Sequence, residues 1–129
     1  MNKLILILIL MLLGHLIADY PLQGWLASAK QKVWWKNNAP DKKYKYDYIA
    51  ALVCHSLMWS IFVFAPIMYY SWSELDWFWL ALPVNVVLHC VIDDLKANKL
   101  KINLIVDQLL HLAQIVITWW LFFMCIGVY

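Results

Sequence analysis

A chain of 129 residues that is 65% hydrophobic and only 14% charged does not fit a water-soluble domain, where about 45–50% apolar and about 25% charged residues are usual. The same balance excludes disorder, and a net charge of +2, from ten lysines and no arginine, is too weak and dispersed for a nucleic-acid surface. The length allows one domain, and Cys54, Cys90 and Cys125, all in apolar runs, argue against a disulfide framework.

Four stretches approach the roughly 20 apolar residues that cross a hydrocarbon core about 30 Å thick. The first covers about 4–20 and is closed by Pro21. Lys3 and Leu4–Leu13 resemble the start of a secretory signal, but no A-x-A cleavage site follows, and His15 and Asp19 have no place in a disposable segment. It is expected to remain as a crossing. Over 22–36, Leu22, Trp25, Leu26, Ala29 and Val33 fall on one face, with Lys30, Gln31 and Lys32 elsewhere, which predicts an amphipathic helix lying in the interface plane. Asn37–Lys45 reads as a polar connector. The second crossing covers about 48–70 and is followed by a polar turn at Ser71–Glu74. The third covers about 77–94, with Pro83 inside it as an expected kink that neighbouring helices tolerate, and the fourth about 102–126. The expected fold is all-α: one domain over 1–129, an integral membrane four-helix bundle with an interfacial helix between helices one and two.

Lysine placement orients it. Six lysines (Lys30, Lys32, Lys36, Lys42, Lys43, Lys45) follow the first crossing and three (Lys96, Lys99, Lys101) follow the third, against one at the N-terminus. The positive-inside rule puts both lysine-rich loops in the cytoplasm and both termini outside, in a multi-pass protein of the cell inner membrane.

All four histidines lie within the spans. His15 and Asp19 are four apart, as are His89 and Asp93, and Asp107 and His111, so each pair shares a helix face. His55 has no acidic partner at that spacing. At 1.5 Å per residue, His15 lies about 9 Å before Pro21, His89 about 10 Å before Lys96, Asp107 about 9 Å beyond Lys101 and His55 about 12 Å beyond Asp47. Helices one and three enter the cytoplasm where two and four leave it. All seven groups are therefore expected in one layer of the cytoplasmic half. Three ionised aspartates at about 2.5–3.5 kcal/mol each need neutralising, and no lysine is expected at that depth. A divalent metal, zinc above others, satisfies carboxylates and imidazoles together. The bland alternative is interhelical hydrogen bonding, strongest for His55. Gln23, Asn85, Gln108 and Gln114 read as polar packing or as groups that orient ligands; Asp94 reads as a solvated flank, and Cys54 and Cys90 as packing residues. The two halves show a thin internal similarity, His15, Asp19 and His55 paralleling His89, Asp93 and His111.

The segments Gly14–Gln23, Leu88–Lys96 and Val106–Leu112, with Cys54–Ser56, resemble the signature of a family of small bacterial and phage membrane proteins carried as a domain of unknown function. More distantly the pattern is similar to membrane-bound metal-dependent hydrolases whose histidines and aspartates sit on adjacent helices, which implies a metal site here.

The preferred reading is a metal-dependent hydrolase with His15, Asp19, His55, His89, Asp93, Asp107 and His111 as candidate ligands and Asp19 or Asp93 as general base. Membrane lipids are the expected partners and a lipid-linked ester or phosphodiester the expected substrate, its anionic head group drawn by the lysines of residues 30–45. The alternatives are conduction of protons or a divalent cation through the same layer, which four short helices achieve only as a homo-oligomer, bis-histidine haem binding, and a non-catalytic interaction protein.

Overall fold

The computed structural model describes residues 2–71 and 79–125. Among these, every regular element is helical: α1 (Lys3–Asp19), α2 (Leu26–Ala29), α3 (Lys32–Asn38), a 3-10 turn at Lys42–Tyr44, α4 (Asp47–Ser71), α5 (Ala81–Ala97) and α6 (Leu104–Cys125). The expected turn at Ser71–Glu74, the start of the third helix at Trp77 and the end of the fourth at Ile126 reach outside the described residues.

Local chemistry sets the visible boundaries. The Asn2 side chain accepts from the Leu4 amide at 3.0 Å and starts α1, and Asn103 does the same for Val106 at 2.9 Å ahead of α6. Pro83 falls in the first turn of α5, where a missing N–H leaves nothing unpaired, so it produces no mid-helix kink. The internal proline is Pro66 of α4, which has no N–H to give the Phe62 carbonyl. That carbonyl faces Gly14 of α1, and a Cβ at Gly14 would stand 2.5 Å from it. Glycine is therefore required for the close approach of α1 to α4.

The four long helices pack in a ring, α1 and α5 each against both α4 and α6. Their interior has two zones. Leu4, Ile7 and Met11 meet Val63, Phe64, Ile67, Ile115 and Phe122 in an apolar core at one end. The end where α1 and α5 finish and α4 and α6 begin is polar, and it buries all four histidines. The outside is aliphatic: Ile5, Ile9 and Leu13 on α1, Ile49, Val53, Leu57 and Ile61 on α4, Val84, Val87 and Val91 on α5, and Ile105, Leu109 and Val116 on α6 are all exposed. Lys42–Tyr70 and Leu104–Met124 are long and apolar enough to cross a membrane.

The expected continuous helix over 22–36 is broken. After a turn through Gly24 (φ +46°), α2 ends at Ala29, and Gln31 is extended before α3 begins. The break comes from tertiary contacts made at Lys30 and Lys32. Asn98, just past α5, accepts from the Lys32 amide at 2.7 Å and donates to the Lys30 carbonyl at 3.0 Å. Of the expected apolar stripe only Ala29 is buried, while Leu22, Trp25 and Val33 stay exposed.

Candidate metal centre

The spacing of four within α1, α5 and α6 turns each histidine and its aspartate to the interior, and the ring of helices brings the three pairs and His55 together. His15 Nδ1 lies 3.2 Å from Asp19 Oδ2. His55 Nε2 lies 3.3 Å from Asp19 Oδ1 and 3.4 Å from Asp93 Oδ2, so its acidic partners come from neighbouring helices. His111 Nε2 is 3.4 Å from Asp93 Oδ1 and 3.5 Å from Asp107 Oδ1. His89 Nε2 sits between Asp93 Oδ2 at 3.8 Å and Asp19 Oδ1 at 4.0 Å. All seven expected residues thus belong to one continuous cluster.

Few of these contacts are aligned as hydrogen bonds. Both ring nitrogens of His89 and of His111, together with Asp19 Oδ1 and Asp107 Oδ1, are buried without a hydrogen-bond partner. Burying such groups unpaired costs about 1–3 kcal/mol each, so the arrangement calls for a further partner. Donors held at about 2.0–2.2 Å from a tetrahedral ion stand about 3.3–3.6 Å from one another. Four of the N···O separations, from 3.3 to 3.5 Å, fall in that interval. Two triads offer ligand atoms within 4.8 Å of one another, Asp19, His55 and His89, and His89, Asp93 and His111. They share His89, so they form two halves of one centre. The donor set is imidazole plus carboxylate with no sulfur, and these groups could hold a metal ion.

Two lysines enter where none was expected. Lys30 is buried and bonds Asp93 Oδ2 at 2.6 Å, and Lys96 bonds Asp107 Oδ2 at 2.7 Å. The expectation that no cation reaches this depth is therefore corrected: α2 folds back and inserts Lys30, and the last turn of α5 brings in Lys96. Asp19 is left with histidines alone. Lys30 and Lys96 also face a cavity of about 180 Å³ that Asp19, Asp93, Asp107 and Gln108 help to line. The cavity volume matches about six molecules of liquid water.

Sequence reading also passed over Trp59, whose ring stacks on His89 at 4.2 Å, while His89 stacks on His111 at 4.2 Å. The Trp59 indole N–H donates to His15 Nδ1 at 2.9 Å. Its signal was its place one helical turn beyond His55, hidden among nine tryptophans. Gln23 contacts His55 Nε2 at 3.2 Å and Gln108 donates to Asp107 at 3.0 Å, so both orient candidate ligands. Asn85 and Gln114 instead bond each other at 2.8 Å, and Thr118 donates to the same Asn85 oxygen at 3.1 Å. Asp94 pairs with Lys99 at 3.0 Å outside the cluster, and Cys54 and Cys90 are free.

Fold and site together define a class: an all-helical protein, two of its helices apolar enough to cross a membrane, with buried histidines and aspartates able to hold a metal ion. Within that class the chain belongs to the DUF3307 family of proteins of unknown function, whose model matches residues 7–127. No curated protein and no solved structure matches it.

Proposed function

We propose that the chain crosses the inner membrane four times and is a metal-dependent hydrolase acting on a lipid or lipid-linked ester or phosphodiester at the cytoplasmic leaflet. The observation that carries this reading is the meeting of Asp19, His55, His89, Asp93 and His111 from four helices in two triads whose ligand atoms lie within 4.8 Å of one another, with buried donor atoms left over. The membrane part is supported by the inverted distribution of side chains, polar inside and aliphatic outside, on α1 and α5 as well as on α4 and α6. α1 and α5, at 17 residues, each extend about 26 Å, close to the hydrocarbon thickness. The lysine-rich segments 30–45 and 96–101 lie at the polar end, which the positive-inside rule assigns to the cytoplasm.

A zinc ion, which His55, His89, His111 and Asp93 would hold, would supply Lewis acidity and lower the pKa of a bound water. The chain does the rest. Asp93 is fixed by Lys30, while Asp19 lines the cavity with Oδ1 unpartnered, which makes Asp19 the general base. The Trp59 indole N–H donates to His15 Nδ1 and so holds that imidazole in place 3.2 Å from Asp19 Oδ2, with its lone pair engaged, and the proton stays on Asp19. Lys30 and Lys96 present two ammonium groups to an entering anionic head group. The acyl chains stay outside in the leaflet.

The test is elemental analysis of protein purified without chelator, followed by hydrolysis of short-chain lipid phosphodiesters and esters. About one or two equivalents of divalent metal are expected, and Asp19→Asn, which leaves the His89, Asp93 and His111 triad intact, should abolish turnover with metal retained in that triad. Absence of stoichiometric metal overturns the reading.

A further inference from the structure

A second cavity, of about 460 Å³, lies at the same end of the molecule, outside the ring and away from the histidines. It is built by α3, the 3-10 turn and the start of α4, a stretch the metal centre does not use. Four exposed lysines stand around it, Lys32, Lys36, Lys42 and Lys45. Among the described residues no carboxylate lies within ion-pair distance of any of these four; Asp41, the acidic group in the wall, lies 3.9 Å from Lys43 instead. The floor is aromatic. Trp35 stacks on Tyr44 at 6.3 Å and is anchored by its indole N–H to the Ala29 carbonyl at 2.6 Å. Lys32 stands over the Tyr48 ring at 4.7 Å from its centroid.

Four ammonium groups with no carboxylate at ion-pair distance among the described residues favour an anion, and the rings beneath them favour something with an apolar portion next to the charge. The volume, about fifteen molecules of liquid water, is far more than a bare phosphate fills and suits a phosphate with its glycerol. Tyrosine, tryptophan and lysine at the foot of an apolar helix are also the residues that sit at head-group level. We infer that this cavity is a binding site for the head group of an anionic phospholipid, separate from the metal centre. The inference rests on the four-crossing membrane reading and not on the hydrolase.

Native mass spectrometry of the full chain in detergent, titrated with phosphatidylglycerol or phosphatidylcholine of the same acyl chains, tests it. Each lysine near an anionic lipid contributes roughly five-fold, so the wild type is expected to prefer phosphatidylglycerol by at least ten-fold. K32Q/K36Q/K42Q/K45Q removes the preference, and K99Q/K101Q, which lowers charge on the other lysine-rich segment, keeps it. Helicity by circular dichroism checks the fold, and K36Q/K42Q substitutes should the quadruple variant fail to fold, with a partial loss expected. Equal binding of both lipids, a preference that survives in the lysine variants, or its loss in K99Q/K101Q overturns the inference. Displacement of phosphatidylglycerol by millimolar inorganic phosphate also overturns it, since the site then belongs to free anions.

Discussion

Replacing Gly14 with alanine tests whether the approach of α1 to α4 builds the metal centre. The new Cβ would stand 2.5 Å from the Phe62 oxygen and 2.9 Å from its carbon, both backbone atoms that cannot rotate away. The helices must part by about 0.5 Å to reach the shortest contact seen for a real Cβ, and by about 0.9 Å for ordinary van der Waals distance. His15 is the next residue, so its 2.9 Å bond from Trp59 stretches toward 3.4–3.8 Å, weakened at the near end and broken at the far one, and Asp19 withdraws from His55. Overpacking of this kind costs about 1–3 kcal/mol and the lost hydrogen bond about 1 more. The expected result is unfolding at lower temperature and metal affinity at least ten-fold weaker, a factor equal to about 1.4 kcal/mol. Thermal unfolding in detergent, with and without metal, and competition against a chelating dye measure both. An alanine variant as stable and as tight for metal as the wild type would refute the argument that the glycine contact positions His15 and Asp19.

Other outcomes follow from single contacts. Lys30→Met strands Asp93 as a buried carboxylate, so the metal-free protein should lose about 3–5 kcal/mol, with partial recovery on adding zinc, measured by thermal shift. His89→Ala removes the residue common to both triads and should abolish metal retention, whereas Asn85→Ala, in the separate network with Gln114 and Thr118, should keep metal and lose about 1–3 kcal/mol of stability; elemental analysis separates the two. Leu100, exposed at φ +52°, is a side chain in a left-handed conformation that asparagine adopts more readily. Leu100→Asn should raise stability by about 0.5–1 kcal/mol in the same unfolding assay.

The cluster was legible because its signal is local: histidine and aspartate four apart point the same way on any helix, and alternating helix direction stacks such pairs at one depth. His55 was placed by depth alone, and its partners Asp19 and Asp93 could come only from the packed helices. Lys30 was hidden because six lysines in one segment look alike, and only the fold-back of α2 distinguishes the one that is buried. The same fold-back breaks the predicted helix over 22–36, since Asn98 captures the backbone on either side of Gln31 from 66 and 68 residues away. No periodicity within 22–36 carries that information.

Asn98 has a kinetic consequence. To lift the Lys30–Lys32 segment away from α5, the protein must break its bonds to the Lys30 carbonyl and the Lys32 amide together with the ion pair from Lys30 to Asp93. At about 1 kcal/mol for each neutral bond and about 1.5–3 for the charged one, the lifted form is some 3–5 kcal/mol uphill. Fewer than about one molecule in a hundred is ajar at any instant. Exchange of the Lys32 amide with deuterated solvent would time this opening.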